Sequence, residues 1–151
     1  MRRHTALQPL SREHHHGLAL CRKIRQGFEQ EVAHERIKQY ADWFWLNHLV
    51  VHFEVEEKYV FPILGNEHKA VKRALAEHRR LKRLFNETKE VAKSLILIEE
   101  ELADHIRFEE RVLFNEIQSF ASPEQLQLVE GCHHEELYVD DWQDKFWKCA
   151  G

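Results

Sequence analysis

One pattern occurs twice and constrains most of what this chain can become. His52-Phe53-Glu54-Val55-Glu56-Glu57-Lys58-Tyr59-Val60-Phe61 and His105-Ile106-Arg107-Phe108-Glu109-Glu110-Arg111-Val112-Leu113-Phe114 both read H-x-x-x-E-E-[K/R]-x-x-F. In a helix, a His and a Glu four residues apart stand one turn apart on the same face, roughly 6 Å along the axis. Both copies interrupt an apolar stripe at the same phase. The first stripe is Leu49, His52, Glu56, Tyr59 or Val60, and Ile63; the second is Ile98, Leu102, His105, Glu109, Val112 and Glu116. An imidazole and a carboxylate therefore point into the expected core, where an unpaired charge costs several kcal/mol. A bound cation removes that cost. Glu57 and Glu110 lie about 100° further round, beside Lys58 and Arg111, and are expected on the outer face.

The rest of the chain supplies helices around these two. Its 151 residues, with 43% hydrophobic and 32% charged side chains and only 5 Gly and 3 Pro, suit a single domain over 1–151, built of long helices with polar outer faces. A first helix, starting at Ser11 and running to about 30, carries Leu10, His14, Leu18, Cys21, Ile24 and Phe28 on one side. Three consecutive histidines cannot share that side; His14 lies nearest it, His15 can rotate in, and His16 points outward. The second helix spans about 35–64, and its Trp43-Phe44-Trp45-Leu46 run calls for burial on two sides or an exposed aromatic patch. The third, about 67–90, has Val71, Leu75, His78, Leu81 or Lys82, and Phe85 inward, with His68 near the loop in solvent. Ser94 caps the fourth, which ends near 120. Ser122 and Pro123 then open a fifth over about 123–149, with Leu128, Cys132, Val139, Trp142, Phe146 and Cys149 in phase.

If consecutive helices are antiparallel, residues at equal depth are symmetric about each turn. The midpoints between His14, the first motif's centre at 54, His78 and the second motif's centre at 107 fall at 34, 66 and near 92 or 93. All three are expected turns, at Val32–Glu35, Gly65-Asn66 and Ala92–Ser94. The fold class is therefore all-α: an up-down-up-down four-helix bundle over about 10–120 with an additional C-terminal helix. It brings His14 (or His15), His52, Glu56, His78, His105 and Glu109 to one level. The chain reads as two halves, each a lone His followed by H-x-x-x-E, which builds two equivalent metal positions with two carboxylates as available bridges. Imidazole and carboxylate without thiolate suit iron, manganese or zinc.

The pattern H, H-x-x-x-E, H, H-x-x-x-E resembles the hemerythrin-like family of HHE cation-binding domains, over nearly the whole chain up to Phe120. The resemblance implies a non-haem centre of two iron ions, bridged by the motif glutamates and an oxo or hydroxo species. It also implies His14 or His15, His52, Glu56, His78, His105 and Glu109 as ligands. The expected role is binding or sensing of oxygen, nitric oxide, peroxide or iron, by a metal- and oxygen-binding protein and not an enzyme. One departure stands out: hemerythrin has H-x-x-x-H on its third helix, and here Ala74 lies one turn before His78. Reflecting position 107 about the break near 121 offers His133, His134 or Glu135 of the fifth helix as a replacement.

Two other readings compete. A ferritin-like di-iron oxidase or peroxidase would place E-x-x-H on inward mid-helix stripes; here Glu31-His34 lies in an expected turn and Glu130-His133 on the last helix, neither on such a stripe. An interaction module would use the metal structurally and meet a regulatory partner, or a second copy, through the aromatic surface of the second and fifth helices. The formal net charge of -4 suggests no nucleic-acid surface. The 3 scattered cysteines fit a reducing compartment, and no signal peptide or membrane span is legible, so a cytoplasmic location is expected.

Overall fold

The computed structural model describes residues 1–133 and 138–149. Among them are five helical rods and no strand. We label them α1 (Gln8–Glu29), α2 (34–63), α3 (Lys69–Phe85), α4 (91–120) and α5 (Pro123–Cys132). The first four form the expected up-down-up-down bundle, α1 and α3 each packing along α4. The first two turns fall where the depth symmetry puts them, with Glu31 at φ 56° in the first and Gly65 at φ 91° in the second; the third lies at 86–90, a few residues before the expected Ala92–Ser94, which are already inside α4.

Helix starts follow local chemistry, and two expected serine caps are used otherwise. Pro9 in the first turn moves the start of α1 up to Gln8, leaving Ser11 inside the helix. α4 begins at Val91; Ser94 is one turn in, its hydroxyl donating to the Val91 carbonyl at 3.0 Å. The His68 ring caps α3, accepting from the Ala70 amide at 3.1 Å. Ser122 does cap α5, in a reciprocal box with Gln125.

Neither motif helix is uniformly α. Each widens to a π turn that begins at its inward glutamate, Glu56–Val60 in α2 and Glu109–Leu113 in α4; a third covers Trp45–Leu49. The wider turn shifts the inward stripe by one residue beyond the glutamate. Val60, Leu113 and Ile117 are buried, whereas Val112 and Glu116, expected inward, are exposed. The core is accordingly in two apolar parts. One contains Leu20, Ile24, Phe44, Leu81 and Leu102, the other Leu10, Phe61, Val71, Leu113 and Phe114. Ala74 is fully buried in the second.

The expected fifth helix is cut short. It ends at Cys132, and the described residues 138–149 form turns and irregular chain. Leu128, Cys132, Val139 and Cys149 are exposed, and the buried face of α5 is Leu126 and Val129. The periodicity beyond Cys132 loses to tertiary anchoring. Asp140 accepts from Lys23 at 2.8 Å and Tyr40 at 2.5 Å, Asp144 pairs with Arg36, and Phe146 packs against the α1–α2 end of the core. A segment of irregular chain and turns reaches all these points on two rods, which one face of a helix does not. The same segment covers the aromatic run of α2: Trp43 meets Trp142 at 5.7 Å between ring centres, while Trp45 stacks on Phe85 at 5.0 Å. No helix among the described residues is long and apolar enough to cross a membrane.

Candidate metal centre

Between the two apolar parts lies a polar layer made by one turn of each bundle helix. α1 contributes His14, α2 His52 and Glu56, α3 His78, and α4 His105 and Glu109, all buried, with both carboxylates at 0% exposure. The four imidazole Nε2 atoms converge on the two carboxylates. His14 Nε2 lies 2.9 Å from Glu109 Oε1, His52 Nε2 and His78 Nε2 each 3.3 Å from Glu56 Oε1, and His105 Nε2 3.2 Å from Glu109 Oε2. The donors sort into two sets, each able to hold a metal ion: His14, His52, Glu56 and Glu109; and His78, His105, Glu56 and Glu109. Both carboxylates belong to both sets.

The far side of each imidazole explains why the rings point inward. His52 Nδ1 bonds Glu13 at 2.8 Å; His78 Nδ1 bonds Glu57, His105 Nδ1 bonds Glu77 and His14 Nδ1 bonds Glu110, each at 2.7 Å. The helix of each carboxylate precedes that of its histidine in the bundle, and α4 closes the ring back to α1. A carboxylate on Nδ1 holds the proton there and leaves Nε2 with its lone pair facing the centre. Further partners steady three of the four carboxylates. Glu110 also accepts from the Ser11 hydroxyl at 2.8 Å and pairs with Arg3, Glu77 pairs with Arg73, and Glu13 meets His133 at 3.2 Å.

Inside this ring the layer is not satisfied by protein groups. Both oxygens of Glu56, Oε2 of Glu109 and the Nε2 atoms of His78 and His105 are buried without a hydrogen-bond partner, and His14 Nε2 faces His52 Nε2 at 3.1 Å. Buried polar atoms left unpaired, several in one spot, cost folding energy that a shared cation would offset. The donor set fits a hard or borderline divalent metal. Without one, protons supply the positive charge. Burial opposes it, but the Glu56 carboxylate and the hydrogen bond to Glu13 push the His52 imidazole up to about 10. His14, His78 and His105 are raised likewise, against the same burial. Burial would raise the Glu13 carboxyl too, yet bonds from His133 and His52 bring it down to about 2.

An opening reaches one side of the site. A cavity of about 130 Å³ reaches His14 and His52 past Gly17, His16, Asn47, His48 and Tyr138, and His78 and His105 do not line it.

The depth symmetry thus assembles all six residues expected at one level, with His14 rather than His15 in the cluster; His15 is exposed. His16 is half-buried, contrary to the outward placement, because Tyr138 stacks on its ring at 3.8 Å. His133 stops at Glu13 and does not enter either donor set. His134 and Glu135 lie outside the described residues. Of the E-x-x-H pairs, Glu31 and His34 are exposed, in the first turn and at the start of α2, and Glu130 is exposed on α5, while Glu13 and His16 on α1 flank the cluster without entering either donor set. Sequence reasoning missed the outer carboxylates. Their signal is present as doublets, Glu13-His14 and Glu77-His78 on the helices with a lone histidine and Glu56-Glu57 and Glu109-Glu110 on the others.

No curated protein and no solved structure matches the chain. A family model does: the hemerythrin HHE cation binding domain, over residues 5–117, a span that holds every member of the buried cluster and all four outer carboxylates. On that match, and with paired His and Glu donors at the centre of an all-helical bundle, the chain belongs to the hemerythrin HHE cation-binding family.

Proposed function

We propose that the protein holds two iron ions between its four bundle helices and uses them to bind or sense a small ligand: dioxygen, nitric oxide or peroxide. His14 and His52 would hold one ion, His78 and His105 the other, with Glu56 and Glu109 bridging. The observation that carries this reading is the set of unpartnered Glu56, Glu109, His78 and His105 atoms facing one another inside a ring of oriented imidazoles. Zinc or manganese would satisfy the same donors; iron adds redox chemistry and affinity for diatomic ligands.

The chain's own residues divide the work. The four outer carboxylates hold the imidazole Nδ1 protons, which keeps each Nε2 free for the metal. Phe53, stacked on His78 at 3.7 Å, and Phe114, stacked on His14 at 5.5 Å, fix ring planes and exclude water. Exogenous ligands would enter by the cavity and meet the His14–His52 ion. With Ala74 in place of a further histidine, each ion has only two imidazoles and two shared carboxylates, so exchangeable positions remain, as in an open metal site and not a closed structural one. That opening, and the lack of an E-x-x-H pair within either donor set among the described residues, favours ligand binding over the ferritin-like and structural-metal readings.

Metal analysis and a visible spectrum of aerobically purified protein test the proposal. About two iron ions per chain, with an absorption band altered by azide or nitric oxide, is the expected result. Autoxidation in air is expected too, so a long-lived oxygen complex that releases dioxygen under vacuum would count against an open site. Tightly held zinc, indifferent to azide, would sink the redox reading.

A further inference from the structure

Behind the cavity wall lies an aromatic cluster that metal binding does not require. Tyr138 and His48 line the cavity with their rings 4.7 Å apart. Tyr40 is almost fully buried, at 1% exposure. Around it stand Trp147 at 5.0 Å, Trp43 at 5.5 Å and Trp142 at 5.7 Å, each half-buried and so reaching solvent. Trp43 in turn meets His48 at 5.1 Å, which carries the chain of rings from Tyr40 to the cavity. Near-contact aromatic rings pass single electrons far more readily than saturated side chains do.

The polar end of Tyr40 is also equipped. Its hydroxyl donates to Asp140 at 2.5 Å, and Lys23 donates to both, at 2.9 Å to the phenol oxygen and 2.8 Å to the carboxylate. A phenol loses an electron easily only if its proton has somewhere to go, and a short bond to a carboxylate provides that. Asp140 belongs to the C-terminal segment that abandons helical form to reach this spot.

We propose that Tyr40 is a redox-active tyrosine, relaying single electrons from a reductant at Trp142 and Trp147 to the metal cavity, with Asp140 as its proton acceptor. The inference rests on the redox-metal reading above. Breaking the O–O bond of a peroxide takes two electrons and two protons, and gives water and an alcohol, or two waters from hydrogen peroxide. When the metal pair has one electron to give, the second comes from Tyr40. Its phenolic proton passes to Asp140, leaving a neutral tyrosyl radical beside a carboxylic acid, while solvent supplies the two protons the peroxide consumes. A reductant of the thiol or ascorbate class then returns the electron through the tryptophans, and the proton moves back from Asp140.

Two arms test this on the full chain. In the metal-free protein, a photogenerated ruthenium(III) polypyridyl oxidises surface aromatics, and transient absorption follows the radical. A tyrosyl signal is expected, lost in Tyr40→Phe, and slowed both in Asp140→Asn and in heavy water, which a merely structural bond would not produce. In the iron-loaded, partly oxidised protein, hydrogen peroxide followed by freeze-quench electron paramagnetic resonance should trap the same radical. If the flash oxidises tryptophan and the hole never reaches Tyr40, the relay is overturned. If Tyr40 responds to the flash but loaded protein consumes peroxide without a radical, the link to the metal is overturned while iron binding stands. If no iron binds, the functional reading fails, and the relay to a metal fails with it, whatever the flash arm gives.

Discussion

Removing the Glu110 carboxylate should weaken one metal position and spare the other. Glu110 accepts His14 Nδ1 at 2.7 Å and the Ser11 hydroxyl at 2.8 Å, and it pairs with Arg3. Glu110→Ala leaves the His14 ring without its outer partner, free to rotate or to take the wrong tautomer. Loss of such a partner typically lowers metal affinity by about 10- to 100-fold, or roughly 1.4 to 2.7 kcal/mol. Because Glu110 is held by three groups, we expect the upper end for alanine. Glu110→Gln keeps one oxygen toward Nδ1 but turns an amide donor on the Ser11 side, so about tenfold is expected. The assay is competition with a chromophoric chelator under anaerobic conditions. Release should become biphasic, with the weakened phase belonging to the His14–His52 ion. Glu77→Ala should weaken the opposite phase through His105, and the exposed His15→Ala neither. Affinity within twofold of the parent protein in Glu110→Ala would refute the idea that the outer carboxylates set the histidines.

Further outcomes follow from the same geometry. His105→Ala should strip much of the metal and destabilise the fold; unchanged metal content would remove His105 from the centre. Metal-free protein should lose stability as pH rises, because His52, at 6.5 unfolded and about 10 folded, contributes fully below pH 6.5 and loses that contribution up to about 10. Glu13 acts oppositely, its contribution disappearing as pH falls from 4.5 toward about 2, so thermal melts of metal-free protein should peak between these windows. A metal-free melting temperature that climbs from pH 6.5 to 9 would contradict the His52 window; loaded protein should instead shed metal on acidification, since protons and metal compete for the imidazoles. Gly27→Ala puts a Cβ 2.7 Å from Ile37 Cδ1 and 3.1 Å from the Phe146 ring, and should cost about 1–3 kcal/mol in chemical denaturation without touching metal content.

The doubled motif was readable because it depends on spacing within single helices, and the first two turn midpoints because antiparallel neighbours of similar length place equal depths symmetrically; the third midpoint falls inside α4, whose start at Val91 follows a turn at 86–90. His52, Glu56, His105 and Glu109 needed only the 3.6-residue period, and His14 and His78 only the antiparallel symmetry. Glu13, Glu57, Glu77 and Glu110 were hidden because each acts on a neighbouring helix, from a position about 100° off the inward stripe where a solvated charge is the ordinary outcome. Val112 and Glu116 were misplaced because a π turn adds a residue to one turn, which no apolar period reveals. The C-terminal segment failed for another reason: its apolar spacing mimics a helix, but Asp140 and Asp144 have partners on α1 and α2 that only a non-helical path reaches.

The ring of carboxylates also makes the bundle self-reporting. Each helix carries one ligand histidine and one carboxylate that aims the ligand of the next, so twisting any single helix about its axis disturbs two corners of the centre at once. Glu57 is the least enclosed of the four, with 44% of its side chain in solvent, and among the described residues no second partner steadies it. That makes the α2–α3 corner the softest joint of the ring. A force applied there would be registered as a tilt of the His78 imidazole, on the side of the centre that the cavity does not reach, and the metal's colour would serve as a gauge of helix torsion.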